Sequence, residues 1–196
     1  MRDARAPRRT DAVRNAERIV EAAVLQLRQR PDATMTSIAR AAGVGRVTLY
    51  GHFASRRDLV DAAIVRELAD AQHALDEMIG FDDAEWALSQ VLERSWLLMD
   101  QSRALVTAAR EELPPDRLWE LHQVPAARVM KLIRRGQDEG AFRTDLPMWW
   151  LIAVIHQVFH AAPADFTLGH RTDPSRMPKL MTESVLAMLR APRPSR

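Results

Sequence analysis

Cysteine is absent from this chain of 196 residues. Its absence excludes disulfide bonds, thiolate metal sites and a cysteine nucleophile, and it fits a protein kept in the reducing cytoplasm. Hydrophobic residues make up 47% of the chain, which is enough to bury a sizeable core without covalent cross-links. The composition therefore predicts a globular protein held together by packing.

Long apolar runs are missing as well. The longest apolar stretch, residues 148–162, is interrupted by His156, Gln157 and His160 and is too short to span a bilayer. The Arg-rich start, residues 1–13, is not followed by an apolar segment, which argues against a signal peptide. We therefore expect a cytoplasmic protein that has no membrane partner.

The alternation of β-branched and aromatic residues that is typical of strands is also lacking. Apolar residues recur instead at three- and four-residue spacing, which predicts an all-α protein of nine helices. Thr34 is the expected N-cap of the second helix, and Gly43 is its expected left-handed C-cap. The predicted helices cover residues 15–29, 35–42, 46–53, 56–79, 84–100, 102–112, 116–139, 147–162 and 175–190.

Charge is distributed unevenly, although the net charge of the chain is only +2. Residues 1–60 carry 12 Arg against 6 Asp and Glu, a net charge of +6. Residues 61–196 carry 16 Lys and Arg against 20 Asp and Glu, a net charge of −4. An anionic partner is therefore expected at the N-terminal third and not at the rest of the chain.

The most informative segment covers residues 34–59. Two short predicted helices are joined there by Gly-Val-Gly at residues 43–45, a joint that allows the steep crossing of a helix-turn-helix. Ile38 on the first helix and Leu49 and Phe53 on the second offer a small apolar face. Burial of this face would fix the direction in which the second helix projects.

The opposite face of the second helix has a composition that suits a major groove. No acidic residue lies between Arg46 and Ser55. The guanidinium of Arg46 suits the O6 and N7 atoms of guanine, and Val47 suits a thymine methyl group. Donors suited to phosphate oxygens follow at Thr48, Tyr50, His52 and Arg56.

This segment resembles the DNA-binding domain of the TetR (tetracycline-repressor-like) family. Residues 38–56, I-A-R-A-A-G-V-G-R-V-T-L-Y-G-H-F-A-S-R, are similar to the family pattern I-A-x-x-A-G-V-S-x-G-T-L-Y-x-H-F-x-S-K. The run R-I-V-E-A-A in the first helix fits as well, and residues 136–146 resemble the C-terminal half of the family. The likeness is specific over residues 14–60 and loose beyond them.

The chain departs from the family pattern at several positions. Gly45 stands where a capping Ser is usual, and Val47 stands where a small residue is usual. Gly51 removes a side chain that often contacts DNA, and Arg57 places a positive charge where an acid is usual. These departures concern which bases are read more than whether DNA is bound.

The resemblance implies a ligand-responsive repressor that binds a near-palindromic operator in double-stranded DNA as a dimer. It implies a disordered basic arm (1–13), a helix-turn-helix domain (14–60) and a ligand-binding and dimerisation domain (61–196), and no cofactor. Activation in place of repression stays open, because the sequence does not show where the operator lies relative to a promoter. The expected DNA-binding residues are Thr36, Gly45, Arg46, Val47, Thr48, Tyr50, His52 and Arg56.

The last two predicted helices carry an apolar stripe at helical spacing. In isolation such a stripe is more often a core face than an interface. A helix-turn-helix, however, usually binds two half-sites as a twofold dimer, and the TetR family dimerises through its last two helices. We therefore expect a homodimer, with interface residues Trp149, Ile152, His156, Phe159, Met177, Met181, Ser184, Val185 and Met188.

A cavity for a small-molecule effector is expected among the fourth to eighth helices, because the resemblance implies one. Five tryptophans in a helical core need no ligand, so a packing role for the same residues stays open. An effector would act by favouring a dimer whose recognition helices no longer match successive major grooves. The expected lining residues are Trp86, Trp96, Met99, Trp119, His122 and Trp150.

Catalytic motifs are not found. The sequence has no H-E-x-x-H, G-x-S-x-G or Walker motif, and its six histidines show no metal-site pattern. We therefore expect neither an enzyme nor a bound metal. The alternative is an all-α ligand-binding protein or enzyme whose N-terminal helices are only structural, and it predicts no binding to duplex DNA.

Overall fold

The computed structural model describes residues 5–76, 83–161 and 174–191. Within these ranges the chain is all-α, with nine helices and no strand beyond an isolated bridge, so the predicted fold class is confirmed there. None of the described helices is long and apolar enough to cross a membrane. The helices are α1 (Arg5–Gln29), α2 (Met35–Ala41), α3 (Arg46–His52), α4 (Arg56–Asp76), α5 (Ala84–Gln101), α6 (Arg103–Glu112), α7 (Pro115–Asp138), α8 (Met148–Ala161) and α9 (Met177–Leu189).

The caps predicted around α2 are confirmed. Thr34 Oγ1 accepts a hydrogen bond from the N–H of Ser37 at 3.2 Å, which satisfies one of the free donors of the first turn. Gly43 follows the helix with a φ of 65°, a left-handed conformation that a side chain would strain. The chain is thereby turned sharply from α2 towards α3.

The start of α1 differs from the expectation. The helix begins at Arg5, ahead of the predicted start near residue 15. Arg and Ala favour helix, and Pro7 lies in the first turn, where its missing N–H costs nothing. The backbone of residues 5–13 is therefore helical, and residues 1–4 of the predicted disordered arm lie outside the described ranges.

The helices fall into two compact units. Unit 1 comprises Met1–Asp70 and Gln101–Leu121, and unit 2 comprises Ala71–Asp100 and His122–Arg196. This division differs from the expected boundary at residue 60, because unit 1 also includes α6 and the first parts of α4 and α7. The physical reason is a shared core: the apolar side of α6 packs with α1 and not in a separate layer.

Among the residues of unit 1 whose side chains are described, one carboxylate is buried in the apolar core. Glu67 of α4 is 5% exposed and accepts hydrogen bonds from Arg28 of α1 at 2.7 Å and from the hydroxyl of Ser102, which precedes α6. A buried carboxylate is costly unless it is paired and hydrogen-bonded, and here both conditions are met. The apolar part of the core includes Ile19, Ala23, Leu27, Ile38, Leu49, Leu59, Ala63, Leu105 and Ala108.

Unit 2 packs α5, α8, α9 and the second part of α7 around aromatic and aliphatic side chains. A Cβ on Gly136 of α7 would lie 2.2 Å from Cδ2 of Phe142, so this helix position has room only for glycine. The N–H of Arg143 donates to the carbonyl of Leu189 at 2.7 Å, which joins the segment after α7 to the end of α9. The core includes Leu88, Val91, Trp96, Ile133, Phe142, Leu151, Phe159, Met181, Val185 and Leu189.

Candidate nucleic-acid interface

The helix α3 is seven residues long and is held by one fully buried side chain. Leu49 is 0% exposed and lies in the core of unit 1, and Val44 and Phe53 pack against that core on either side of the helix. The first turn is closed by a hydrogen bond from the N–H of Leu49 to the carbonyl of Gly45 at 3.0 Å. Since this inner side is fixed, the rest of α3 is presented to solvent.

The solvent side of α3 carries the residues predicted to read bases. Arg46 and Thr48 are exposed, Val47 is 88% exposed, and Tyr50 is 44% exposed, whereas His52 at the end of the helix is half-buried. The helix contains no acidic residue. A long cation and an apolar methyl pair therefore stand side by side, without a negative charge on the same helix to repel a phosphate backbone.

The helix α2 adds polar groups. Thr36 is exposed in its first turn, where the hydroxyl of Ser37 also donates to the carbonyl of Thr34 at 2.8 Å. Arg40 near the end of α2 is exposed as well. Arg40 gives no signal in the sequence, because a lone cation on a helix is not part of a motif.

Arg56, which is predicted to donate to a phosphate, has its hydrogen-bond partners within unit 1 in this structure. Its Nε lies 2.8 Å from Oε1 of Glu112 on α6, and the guanidinium also donates to the backbone carbonyls of Ala33 and Pro31. These partners hold the side chain against α6 and the loop between α1 and α2. Arg56 therefore stabilises unit 1, and the sequence did not reveal this because Glu112 lies 56 residues further on.

The neighbouring Arg57 is the exposed cation at the start of α4. A reciprocal cap fixes the first turn: the N–H of Asp58 donates to Ser55 Oγ at 3.1 Å, and the N–H of Ser55 donates to Asp58 Oδ2 at 2.9 Å. Because the turn is fixed, Arg57 is presented at a defined place next to a helix N-terminus, where phosphate is favoured.

A further ion pair joins α4 to the first part of α7 within unit 1. Arg117 Nε lies 2.7 Å from Asp61 Oδ1, and its Nη1 lies 2.9 Å from Glu120 Oε2. The hydrogen bonds to Asp61 and then to Glu120 raise the pKa of Arg117 above its usual value. The start of α7 is thereby tied to the helix that follows the helix-turn-helix.

The helix-turn-helix region matches a known protein family in sequence. Residues 19–63 match the sequence profile of the family described as bacterial regulatory proteins, tetR family. These 45 residues are similar to the DNA-binding region of the TetR family. The matched residues include α2, α3 and the first turns of α4, so the exposed side of α3 described above lies within the family's helix-turn-helix.

Solved structures show the same architecture over most of the chain. The fatty acid degradation regulator FadR from Bacillus halodurans matches with a TM-score of 0.72 at 18% identity, over 89% of this chain and 99% of that one. The TetR-family regulator PfmR from Thermus thermophilus matches with a TM-score of 0.66 at 17% identity, over 91% and 99%. RolR in complex with resorcinol matches with a TM-score of 0.68 at 16% identity, over 92% and 89%. The chain therefore has the TetR fold, while no curated protein matches it in sequence.

The nine residues predicted for a TetR-type dimer interface fall into two groups. Four of them are buried in the core of unit 2, at 8% exposure or less: Phe159, Met177, Met181 and Val185. The other five are exposed or half-buried: Trp149, Ile152, His156, Ser184 and Met188. The apolar spacing in α9 therefore marks its core side, whereas the predicted interface residues that remain exposed or half-buried lie on the outer sides of α8 and α9.

The six residues predicted to line an effector cavity lie in different environments. Trp96 is 5% exposed in the core of unit 2, and Met99 packs against that core. Trp86, Trp119 and Trp150 are exposed, and Trp119 belongs to unit 1. In neither unit does the described part of the chain bring all six around one cavity.

Histidine pairing in unit 2 does not amount to a metal centre. His122 of α7 is half-buried and stacks edge-on against His156 of α8, with 4.9 Å between the ring centroids. The side chain of His160 lies outside the described residues. Among the residues that the structure does describe, no group of three or more His, Asp or Glu is placed to hold a metal ion.

Proposed function

We propose that this protein is a cytoplasmic transcription regulator that binds a near-palindromic operator as a homodimer and is released from it by a small molecule, and that it is not an enzyme. The proposal rests on how α3 is packed: its inner side is buried and its outer side is exposed to solvent. Leu49 is fully buried, while Val47 is 88% exposed beside the exposed Arg46 and Tyr50. In a TetR-like domain, this exposed side of α3 is available to contact another molecule.

The dimensions and chemistry of α3 favour the major groove of DNA as that partner. An α-helix with its side chains is about 10–12 Å in diameter, and the major groove is about 12 Å wide, so α3 fits into it. Arg46 supplies two parallel donors for guanine, and Val47 supplies methyl groups for thymine. Arg40 and Arg57 flank these residues along the chain and supply charge for phosphates.

The dimer is supported by exposed apolar groups on α8. Trp149 is 68% exposed, and on the same helix Ile152 is half-buried and His156 exposed, one turn and two turns further on. A large exposed aromatic residue with neighbours at helical spacing is typical of a protein interface. A twofold dimer would place two copies of α3 roughly 34 Å apart, on successive major grooves.

Control by a small molecule is supported by the architecture. RolR, which has the same fold, was crystallised with resorcinol, and FadR is described as a regulator of fatty acid degradation. In this chain α4 and α7 each run from unit 1 into unit 2. A ligand bound to the parts of α4 or α7 that lie in unit 2 would therefore contact a helix that continues into the unit that carries α3.

The test is a binding titration with labelled duplexes taken from the DNA upstream of the protein's own gene. We expect saturable binding that weakens steeply as salt rises, because several phosphates are neutralised. Arg46→Ala should cost about 1–3 kcal/mol of discrimination at one base pair of each half-site. Arg94→Ala, which removes an exposed arginine from α5, is the matched control and should change nothing.

Two results would contradict the proposal. Wild-type protein that binds no duplex at low salt would favour the alternative in which the N-terminal helices are only structural. An Arg46→Ala variant with unchanged affinity and unchanged base preference would remove α3 as the reading element.

A further inference from the structure

Val47 is the most exposed of the large hydrophobic side chains that the structure describes, at 88%. It is the second residue of α3, directly after Arg46, and the family pattern that residues 38–56 resemble has glycine in its place. A single exposed valine is common on a protein surface and needs no explanation by itself. This valine calls for one because it lies on the side of α3 that is proposed to face DNA.

The surroundings of Val47 suit the edge of a base better than an apolar protein partner. Of its exposed neighbours on α3, Arg46 carries a cation and Tyr50 a hydroxyl group, and a Cβ built on Gly51 one turn further on meets no atom within 4 Å. The apolar surface is therefore small, whereas a specific protein interface covers about 800 Å² on each partner. A methyl group on a base edge is an apolar target of matching size, set among polar groups.

Adjacent residues of a helix can reach adjacent base pairs. The Cα atoms of Arg46 and Val47 are one peptide unit apart, about 3.8 Å, and successive bases of one DNA strand are about 3.4 Å apart. When the guanidinium of Arg46 pairs with O6 and N7 of a guanine, the methyl groups of Val47 are therefore within reach of the next base pair. The apolar group that a base pair offers in the major groove is the C5 methyl of thymine, and 5-methylcytosine carries the same methyl on the same ring atom.

We propose that Val47 reads the C5 methyl group of one pyrimidine in each half-site, next to the guanine that Arg46 contacts, so that the protein accepts thymine or 5-methylcytosine there and disfavours uracil and cytosine. This inference rests on the proposed function, because it specifies what the exposed side of α3 recognises. It adds a means of regulation: a half-site with cytosine at this position is bound more tightly when that cytosine is methylated at C5.

The first test removes the methyl group from the DNA and leaves base pairing unchanged. The upstream duplex bound in the operator titration is shortened to the smallest fragment that still binds, and deoxyuridine replaces thymidine at one symmetric pair of positions at a time. We expect affinity to fall roughly fifteenfold at one such pair, because one buried methyl group corresponds to about fourfold in affinity and both half-sites are changed.

Variants assign this methyl contact to one residue. Val47→Ala withdraws the two methyl groups of the side chain and should bind the thymine and uracil duplexes equally at that position. Val65→Ala makes the same change at an exposed valine of α4 and should keep the full wild-type preference. Val47→Thr keeps the shape of the side chain but exchanges one methyl for a hydroxyl group, so its preference for thymine should be smaller than that of wild type.

The second test adds the methyl group to a different base. At the same pair of positions, C·G in place of T·A should weaken binding. Replacing each of these cytosines by 5-methylcytosine should raise the affinity of wild type by about fourfold per half-site and leave that of Val47→Ala unchanged.

The outcomes separate this inference from the proposed function. Wild type that binds the duplex but loses no affinity at any uracil position would overturn the inference and leave the proposed function intact. A loss that Val47→Ala shares, or 5-methylcytosine that binds no better than cytosine, would overturn it as well, because the methyl group would then not be read by Val47. Wild type that binds no duplex would overturn both. A preference for both methylated bases that Val47→Ala abolishes and Val65→Ala retains supports the inference.

Discussion

The helices α3 and α9 use their surfaces in opposite ways. α3 buries Leu49 alone among its seven residues, and its remaining side chains are exposed or half-buried. α9 buries six of its thirteen residues, among them Met181 and Val185, in the core of unit 2. A helix that is secured by one residue has most of its surface free for a partner, whereas a helix secured by six has only its outer side left. In α9 the regular apolar spacing coincides with the face that the chain itself covers, so we expect a partner to contact its other side.

The largest effect that tests this comparison is expected at the residue that secures α3. Leu49→Ala should lower the free energy of unfolding by about 2–5 kcal/mol, because it leaves a cavity in a core with no other anchor from that helix. Val47→Ala, two residues earlier and 88% exposed, should change stability by less than about 0.5 kcal/mol. Urea denaturation of both variants measures the difference. Similar losses in the two variants would show that α3 is held in another way.

A smaller but still large effect is expected on the outer side of α8. Trp149→Ser should weaken dimerisation by about 2 kcal/mol, or roughly thirtyfold in the dissociation constant, since exposed aromatic residues are the usual centres of such interfaces. Trp119→Ser is the matched control, because both tryptophans are 68% exposed and Trp119 lies on α7 in unit 1. Analytical ultracentrifugation over a concentration series compares them. Equal effects, or a dimer that survives Trp149→Ser intact, would place the interface elsewhere.

The helix-turn-helix could be predicted residue by residue because its determinants are local. Thr34, Gly43 and Leu49 act through caps and spacings of a few residues, and all three occupy the positions expected of them. The partners of Arg56 could not be predicted in this way. Its ion pair with Glu112 joins residues 56 apart in the chain, and a side-chain contact over that separation leaves no periodic signal.

The sequence predicted the helices of unit 2, but it did not predict which of their faces are buried and which are exposed. Apolar periodicity indicates that a side of a helix is covered, but it does not say whether the same chain or a second chain covers it. Hydrophobicity alone also does not fix burial: Trp119 and Trp149 are large and apolar and yet mostly exposed, while Trp96 is buried.

The adjacent residues Arg56 and Arg57 allow the same comparison, because Arg56 is bonded within unit 1 and Arg57 is exposed. Arg56→Gln should lower stability by about 1–3 kcal/mol, since Glu112 and two backbone carbonyls lose a charged donor. Arg57→Gln should leave stability unchanged and weaken binding to all DNA sequences alike, with the slope of log affinity against log salt reduced by about 1. Denaturation curves and a salt series on both variants test this. If Arg57→Gln destabilises the fold, or Arg56→Gln alone changes the salt slope, the two roles are the reverse of those assigned here.

The smallest expected effect concerns Gly51, a glycine on the exposed side of α3. A Cβ built at this position meets no atom within 4 Å, so nothing in the chain itself requires glycine there. Gly51→Ala should therefore raise stability by about 0.5 kcal/mol through helix propensity. If the glycine serves the approach of DNA to α3, the same variant should bind operator a few-fold more weakly, and Gly51→Leu should bind more weakly still while remaining folded. Operator affinity and the free energy of unfolding, measured for each variant, separate an effect on DNA binding from an effect on stability. A Leu variant with wild-type operator affinity would show that the backbone of α3 is not closely approached at Gly51, and would confine the reading surface to the side of the helix that carries Arg46 and Val47.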